Sequence, residues 1–310
     1  MQFDFTEYQA TATDAISHLT SRYRAMPVNA EAYLYSVKLD EELVSSGFLG
    51  IGEDPDLGGV SAAHLVIEVA KLPVCTEIMA SALIHWRFCP DMPRPLALVN
   101  EGQPVRFATV ARTALVDCGD DLKAIDFAGV AVEPVASLFA YPYGRIPTEA
   151  LADGMSMGAE ALIKFRTWRR IGLAAEICGA MQSALAVTIE HVTQRQQFGR
   201  PIGSNQAVQH RLAEVAVLAE ATRWLVYQAA STGDPTDAAL AAAYAQDSVS
   251  KVSFDLHQFS GAMGLTLEHS LHLWTYRLKA LVSEMGGPGA QFEAAAGLVW
   301  GDPELADATR

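Results

Sequence analysis

Apolar positions follow a helical rhythm towards both ends of this chain and form short runs between. Phe5, Tyr8, Ala12, Ile16 and Leu19 stand three or four apart, the spacing that lines one face of an α-helix. Val37, Leu39, Leu43 and Val44 mark a second helix, ended by Ser45-Ser46-Gly47. A loop rich in Gly and Pro over 47–60 leads into a helix predicted at about 61–72. The runs at 96–99, 105–110, 114–117 and 128–132 are short and β-prone, punctuated by Gly102-Gln103-Pro104 and Gly119-Asp120-Asp121. They predict a small sheet of four to six strands. The helical period then returns at about 162–195, 205–231, 236–260 and 268–283. Breaks fall at Gly199-Arg200-Pro201, Gly233-Asp234-Pro235 and Gly261-Ala262-Met263-Gly264. Four antiparallel helices with short turns make a four-helix bundle. The expected fold is mainly α with a small β domain: N-terminal helices over 1–90, a β domain over 91–150, and the bundle over 151–310.

Composition narrows the function classes. The chain has 310 residues, half of them hydrophobic, and a net charge of −14. That is enough apolar material for a large core, and the charge argues against nucleic acid or an anionic membrane surface as partner. The charge is uneven. Between 164 and 223 eight Lys or Arg stand against four Asp or Glu, leaving about −18 for the remainder. A positive island suits a phosphate-bearing ligand; chance clustering of helix-surface charge gives the same count. Cys75, Cys89, Cys118 and Cys178 have no metal-binding spacing and read as free thiols of a reducing compartment. The first 26 residues lack the basic head and apolar segment of a signal peptide. No apolar run approaches membrane-spanning length, and a cytoplasmic location is expected.

The candidate chemistry gathers at the helix breaks. Arg195 and Phe198 precede the turn at 199–203, and Gln206 and Gln209 follow it. An arginine fork suits a pyrophosphate, an aromatic ring offers a flat apolar face, and a side-chain amide pairs with a base edge or ribose. A second corner holds Gln258 and the turn Gly261-Ala262-Met263-Gly264, where small residues let a backbone approach a ligand. His269 and His272, with Glu268 beside them, imitate a metal site but find no third ligand within helical reach and read as capping or packing residues. The chain shows no nucleophile elbow, P-loop or Rossmann glycine run.

The run Arg195-Gln196-Gln197-Phe198-Gly199, the downstream Gln206 and the turn after Gln258 together resemble the FAD-binding signature of the acyl-CoA dehydrogenase family. Ala262 departs mildly from the glycine usual at its place. The resemblance implies that Arg195, Phe198, Gln206, Gln258, Gly261 and Ala262 contact the ADP part of FAD. It also implies oxidation of an acyl-CoA thioester to the 2-enoyl-CoA, with a glutamate base removing the α-proton. Homologues carry that base at one of two places. This sequence has Arg169 at the first, and an arginine is no base near neutral pH. At the second, Met285 falls on the expected position, one step after Glu284. Glu284 is a weak candidate base beside the reading of an exposed helix-end glutamate. Glu176 is weaker still and pairs equally well with a basic neighbour. The family's segment against the flavin ring is missing, and the β domain is about half its usual length.

These losses resemble the short β-subunit of heterotetrameric α2β2 acyl-CoA dehydrogenases of steroid side-chain degradation. The resemblance implies a subunit that lends the ADP half of an FAD site to a longer homologous α-subunit. Two alternatives stand: a self-sufficient homo-oligomeric dehydrogenase using Glu284, and a non-catalytic acyl-CoA-binding or scaffold subunit.

Overall fold

A computed structural model describes residues 5–26, 34–100, 104–137, 140–197 and 199–301. Helix α1 (Glu7–Ser21) opens with a capping box between Thr6 and Gln9 and buries Ile16 and Leu19. Helix α2 (Val37–Ser45) is capped by Ser36 and buries Leu39 and Leu43. Helix α3 (Gly58–Ala70) is buried from Ser61 to Val69 on every face, the mark of a core helix rather than a surface one. Two short turns, α4 (Ile78–Ala80) and α5 (Trp86–Phe88), flank a π-helical stretch at Ser81–His85.

The strands form two small sheets. In the first, β1 (Leu96–Asn100) pairs in parallel with β3 (Thr113–Asp117), and β4 (Leu122–Asp126) and β7 (Met155–Ser156) follow antiparallel. In the second, β6 (Tyr143–Arg145) lies between β2 (Val105–Arg106) and β5 (Glu133–Val135). Two expected runs are corrected. The run at 105–110 ends at Arg106, because Phe107 takes φ +62° and turns the chain. The run at 128–132 is a turn with Gly129 at φ +81°, and the strand lies just before it.

The bundle is built on α6 (Gly158–Gln194), 37 residues long. It is long and apolar enough to cross a membrane, contrary to the expectation that no segment is, but 78% of its most apolar window is buried against other helices. Two glycines let neighbours approach it. A Cβ on Gly179 would lie 2.3 Å from the Ile67 carbonyl of α3, and one on Gly172 would lie 2.2 Å from Met79 Cγ. Helix α7 (Gln206–Thr232) ends at Gly233, φ +63°. Helix α8 (Pro235–Ser260) starts with Asp234 as cap and Pro235 in its first turn. Helix α9 is shorter than expected, His272–Leu281. Leu265 and Leu267 before it are exposed, and His269 Nδ1 accepts from the Leu271 N–H, so the chain there turns instead of coiling. A fifth helix, α10 (Gly287–Trp300), packs on α8.

One continuous core joins the N-terminal helices to the bundle, with Trp274, Tyr227 and Phe165 among its largest fully buried side chains. Arg277 on α9 donates to the Leu72 and Pro73 carbonyls at 2.7 and 2.8 Å. Arg166 on α6 holds Asp117 on β3 through two bonds, 2.7 and 2.8 Å. Helices, sheet and bundle are thereby fixed around a common seam.

Candidate functional site

The sequence-predicted corner residues come to one end of the bundle. Helix α6 stops at Arg195, whose extended backbone starts a two-stranded hairpin, β8 (Gln196–Gln197) with β9 (Arg200–Pro201), turned by Gly199 at φ +78°. The Ile202 N–H donates back to the Arg195 carbonyl at 2.9 Å. Gly203 sits where a Cβ would meet Val192 at 3.1 Å, so the chain passes tightly over the end of α6 before α7 begins. Arg195 and Gln206 are exposed, and Arg195 has no carboxylate partner among the described residues. Gln209 is committed to the Gly203 carbonyl, 2.9 Å. Phe198 lies outside the described residues.

The second corner stands beside the first. The rings of His191 on α6 and His269 after α8 lie 5.1 Å apart, edge to face. Gln258, Gly261 and Ala262 are exposed there. Gly261 takes φ +58° and a Cβ on it would touch nothing. Leu265, 77% exposed, lies on the same rim. The result is an open shelf of polar donors and small residues, bordered by unburied apolar side chains. Burial lowers the pKa of His191, His257 and His269 below the ordinary imidazole value. His269 and His272 bond to the backbone around them.

A cavity of about 360 Å³ opens elsewhere, where the two sheets, α6 and the loop after α9 meet. Its centre is an ion network that local sequence does not announce. Arg106 of β2 donates to both carboxylate oxygens of Glu176 on α6, at 3.2 and 2.8 Å, and through Nε to Glu284 at 2.5 Å. Arg106 and Glu176 are buried, and the Glu284 side chain is 17% exposed. Burial works against the Arg106 charge, yet the two carboxylates hold its pKa well above the ordinary guanidinium value. Glu284 is therefore not the exposed helix-end glutamate that was expected.

The loop carrying Glu284 is held from both sides. Gln246 of α8 donates to the Leu281 and Glu284 carbonyls, each at 2.9 Å, and Gln291 of α10 to the Met285 carbonyl at 2.5 Å. Met285 is left-handed, φ +53°, a backbone state that costs a residue with a Cβ about 1 kcal/mol or more. Arg169 lines the same cavity and donates to Asn100 Oδ1 at 2.7 Å. The structure thus gathers Arg169, Glu176 and Glu284 in one place, away from the shelf residues. Sequence reasoning missed Arg106 and Asn100. The available signal was an arginine set inside the apolar run Val105-Arg106-Phe107, since a charge in a buried strand needs a partner.

Residues 156–289 match the family model "Acyl-CoA dehydrogenase, C-terminal domain". Acyl-CoA dehydrogenase IpdE2 of Mycobacterium tuberculosis is 36% identical over 131 residues, a stretch covering 42% of this chain and 41% of that protein. One chain of the ChsE4–ChsE5 complex from Mycobacterium tuberculosis superimposes with a TM-score of 0.79 at 18% identity, over 97% of this chain and 99% of the other. A Tcur3481–Tcur3483 steroid ACAD variant gives a TM-score of 0.76 at 21% identity, over 96% and 98%.

Proposed function

We propose that the chain, which matches the acyl-CoA dehydrogenase C-terminal domain model over residues 156–289 and has the acyl-CoA dehydrogenase fold, is a non-self-sufficient subunit of an FAD-dependent acyl-CoA dehydrogenase. It lends the ADP half of the FAD site to a longer homologous α-subunit in an α2β2 heterotetramer. The substrate is an acyl-CoA thioester, in our reading a steroid side-chain CoA ester, oxidised to the 2-enoyl-CoA.

The observation that carries the reading is the split between the two places. On the shelf, Arg195, Gln206 and Gln258 are exposed, and Gly261 leaves room for close backbone approach. That donor set fits the diphosphate and ribose of FAD, whose bound flavin ring accepts the hydride lost by the substrate. In the cavity, both carboxylates that stand near a base position are taken up by Arg106, and the first base position is Arg169. Each carboxylate is fixed in hydrogen bonds to the buried guanidinium and is not free to turn towards an α-carbon. Arg195 grips phosphate, Gln206 and Gln258 orient the ribose and base end, and proton abstraction falls to the partner.

The test is flavin content of the purified heteromeric complex carrying Arg195→Ala. Loss of most of the FAD is expected. Full flavin content would point instead to a scaffold or acyl-CoA-binding subunit with no part in the cofactor site. For the substrate, turnover of a short fatty acyl-CoA but not a steroid side-chain CoA by the intact complex would overturn the steroid assignment.

A further inference from the structure

The shelf depends on how helices α7 and α8 stand to each other. Gln206 opens α7, and Gln258 lies two residues before the end of α8. Over its first half α8 offers little to set a register. It buries six alanines between 238 and 245, small side chains that permit close approach but leave few ridges to interlock. The contact near the shelf is built differently. Asp255 of α8 is fully buried, and both its oxygens are met by cations. Arg211 of α7 pairs with Oδ1, and Lys251, one turn back on α8, pairs with Oδ2 at 3.0 Å. Lys251 also reaches Glu214 of α7 at 2.8 Å. Two cations and two carboxylates thus cross-link the two helices.

A buried ion pair is weak evidence for stability, since apolar side chains of similar volume often serve as well or better. It does restrict geometry, because a carboxylate cut off from water tolerates only an alignment that keeps its partners on it. Lys251, Asp255 and Gln258 stand at i, i+4 and i+7, one stripe of α8. Gln258 is exposed at the open end of that stripe, about 4.5 Å along the axis from Asp255. A tilt or rotation of the last turn of α8 against α7 would carry the Gln258 amide away from the shelf.

We propose that Asp255, together with Arg211, is a positioning residue of the FAD shelf: it fixes the last turn of α8 on α7 so that the Gln258 amide faces the ribose and base end of the cofactor. The inference rests on the reading of the shelf as the ADP half of an FAD site. It gives Asp255 no contact with FAD; the carboxylate acts through Gln258.

The test is a double-mutant cycle on the heteromeric complex, stripped of flavin and titrated with FAD, with melting temperature followed in parallel. Asp255→Asn and Gln258→Ala are each expected to weaken FAD binding about tenfold, the size of one lost hydrogen bond. Because the first acts through the second, the double variant is expected to stay within about threefold of Gln258→Ala alone, where independent effects would multiply to about a hundredfold. Asp255→Asn is expected to lower the melting temperature in either background, so a merely structural role would show that fall without the coupling. Arg211→Met breaks the same pair from its partly exposed side and is expected to show the same dependence on Gln258. It keeps the proposal open to test should Asp255→Asn fail to assemble. Unchanged FAD affinity in Asp255→Asn or Arg211→Met, or losses that multiply with that of Gln258→Ala, would overturn the positioning role and leave the shelf standing. Unchanged affinity in Gln258→Ala would overturn both.

Discussion

Arg106 and Glu176 meet through two parallel hydrogen bonds, at 3.2 and 2.8 Å, between a two-residue strand and the middle of a 37-residue helix. The pair is buried, and Glu284 closes it from the other side. It ties the sheet, the long helix and the loop after α9 into one unit and engages two carboxylates with one guanidinium.

Replacing Arg106 by methionine leaves two carboxylates facing each other without a counter-charge. Breaking a buried pair by removing one partner costs about 3–5 kcal/mol. Urea unfolding at pH 7 is expected to show a loss of that size for Arg106→Met. Glu176→Gln, which leaves Glu284 on the guanidinium, is expected to cost less than half as much. Equal small losses in both would mean that the network contributes little to stability.

Glu284→Gln separates a structural glutamate from a base. In the intact heteromeric complex the variant is expected to keep kcat within about twofold, with a modest fall in melting temperature. A thousandfold loss of kcat at unchanged flavin content would restore Glu284 as the base of a self-sufficient enzyme.

His64 on α3 bonds to the Tyr227 hydroxyl at 2.6 Å, and burial lowers its pKa from 6.5 to about 4. Its folded-state pKa is depressed, so the stability tied to the neutral ring is present above pH 6.5 and is lost as pH falls towards 4. By linkage the full loss is about 3 kcal/mol. His64→Gln is expected to flatten the acid limb of stability between pH 6.5 and 4, followed by urea midpoints. An unchanged slope would contradict a buried neutral imidazole.

Glu77 has the opposite sign. Burial raises its pKa from 4.5 to about 7. The folded chain holds that proton more tightly than the unfolded one, so the associated stability is present below pH 4.5 and is lost as pH rises through 7. Glu77→Gln is expected to gain stability relative to the parent on going from pH 5 to pH 8. A constant difference between the two proteins across that window would rule the raised pKa out.

The crossing of α3 over α6 depends on a missing side chain. The Cβ of Gly179→Ala would stand 2.3 Å from the Ile67 carbonyl oxygen, with Ala70 at 2.8 Å. Backbone cannot move aside as a flexible side chain can, and overpacking of this kind costs about 1–3 kcal/mol. Thermal unfolding of Gly179→Ala should show it, whereas Gly289→Ala, with open space around it, should not.

The bundle was legible because 3.6-residue periodicity ran for long stretches between Gly and Pro breaks, so α6, α7 and α8 lie within a few residues of expectation. Helix α10 was not, because Gly287-Pro288-Gly289 reads as a breaker, yet a proline in the first helical turn is tolerated there. The strand region misled because apolar content does not fix backbone sign: Phe107 and Gly129 both take positive φ and end runs that composition would extend. The two chain breaks that bring Arg195, Gln206 and Gln258 to one end of the bundle were legible from local patterns. The ion network was not, because Arg106 finds its partners 70 and 178 residues away, and no local pattern carries that distance.

In the function proposed above, this chain completes a flavin site it does not own. The most direct measurement is flavin stoichiometry, first in the chain expressed alone and then in the chain co-expressed with its longer dehydrogenase partner. A colourless lone chain and about one FAD per pair of unlike subunits in the complex are expected, because ligand and assembly stabilise each other by mass action. A lone chain that purifies yellow with one FAD per copy would contradict it.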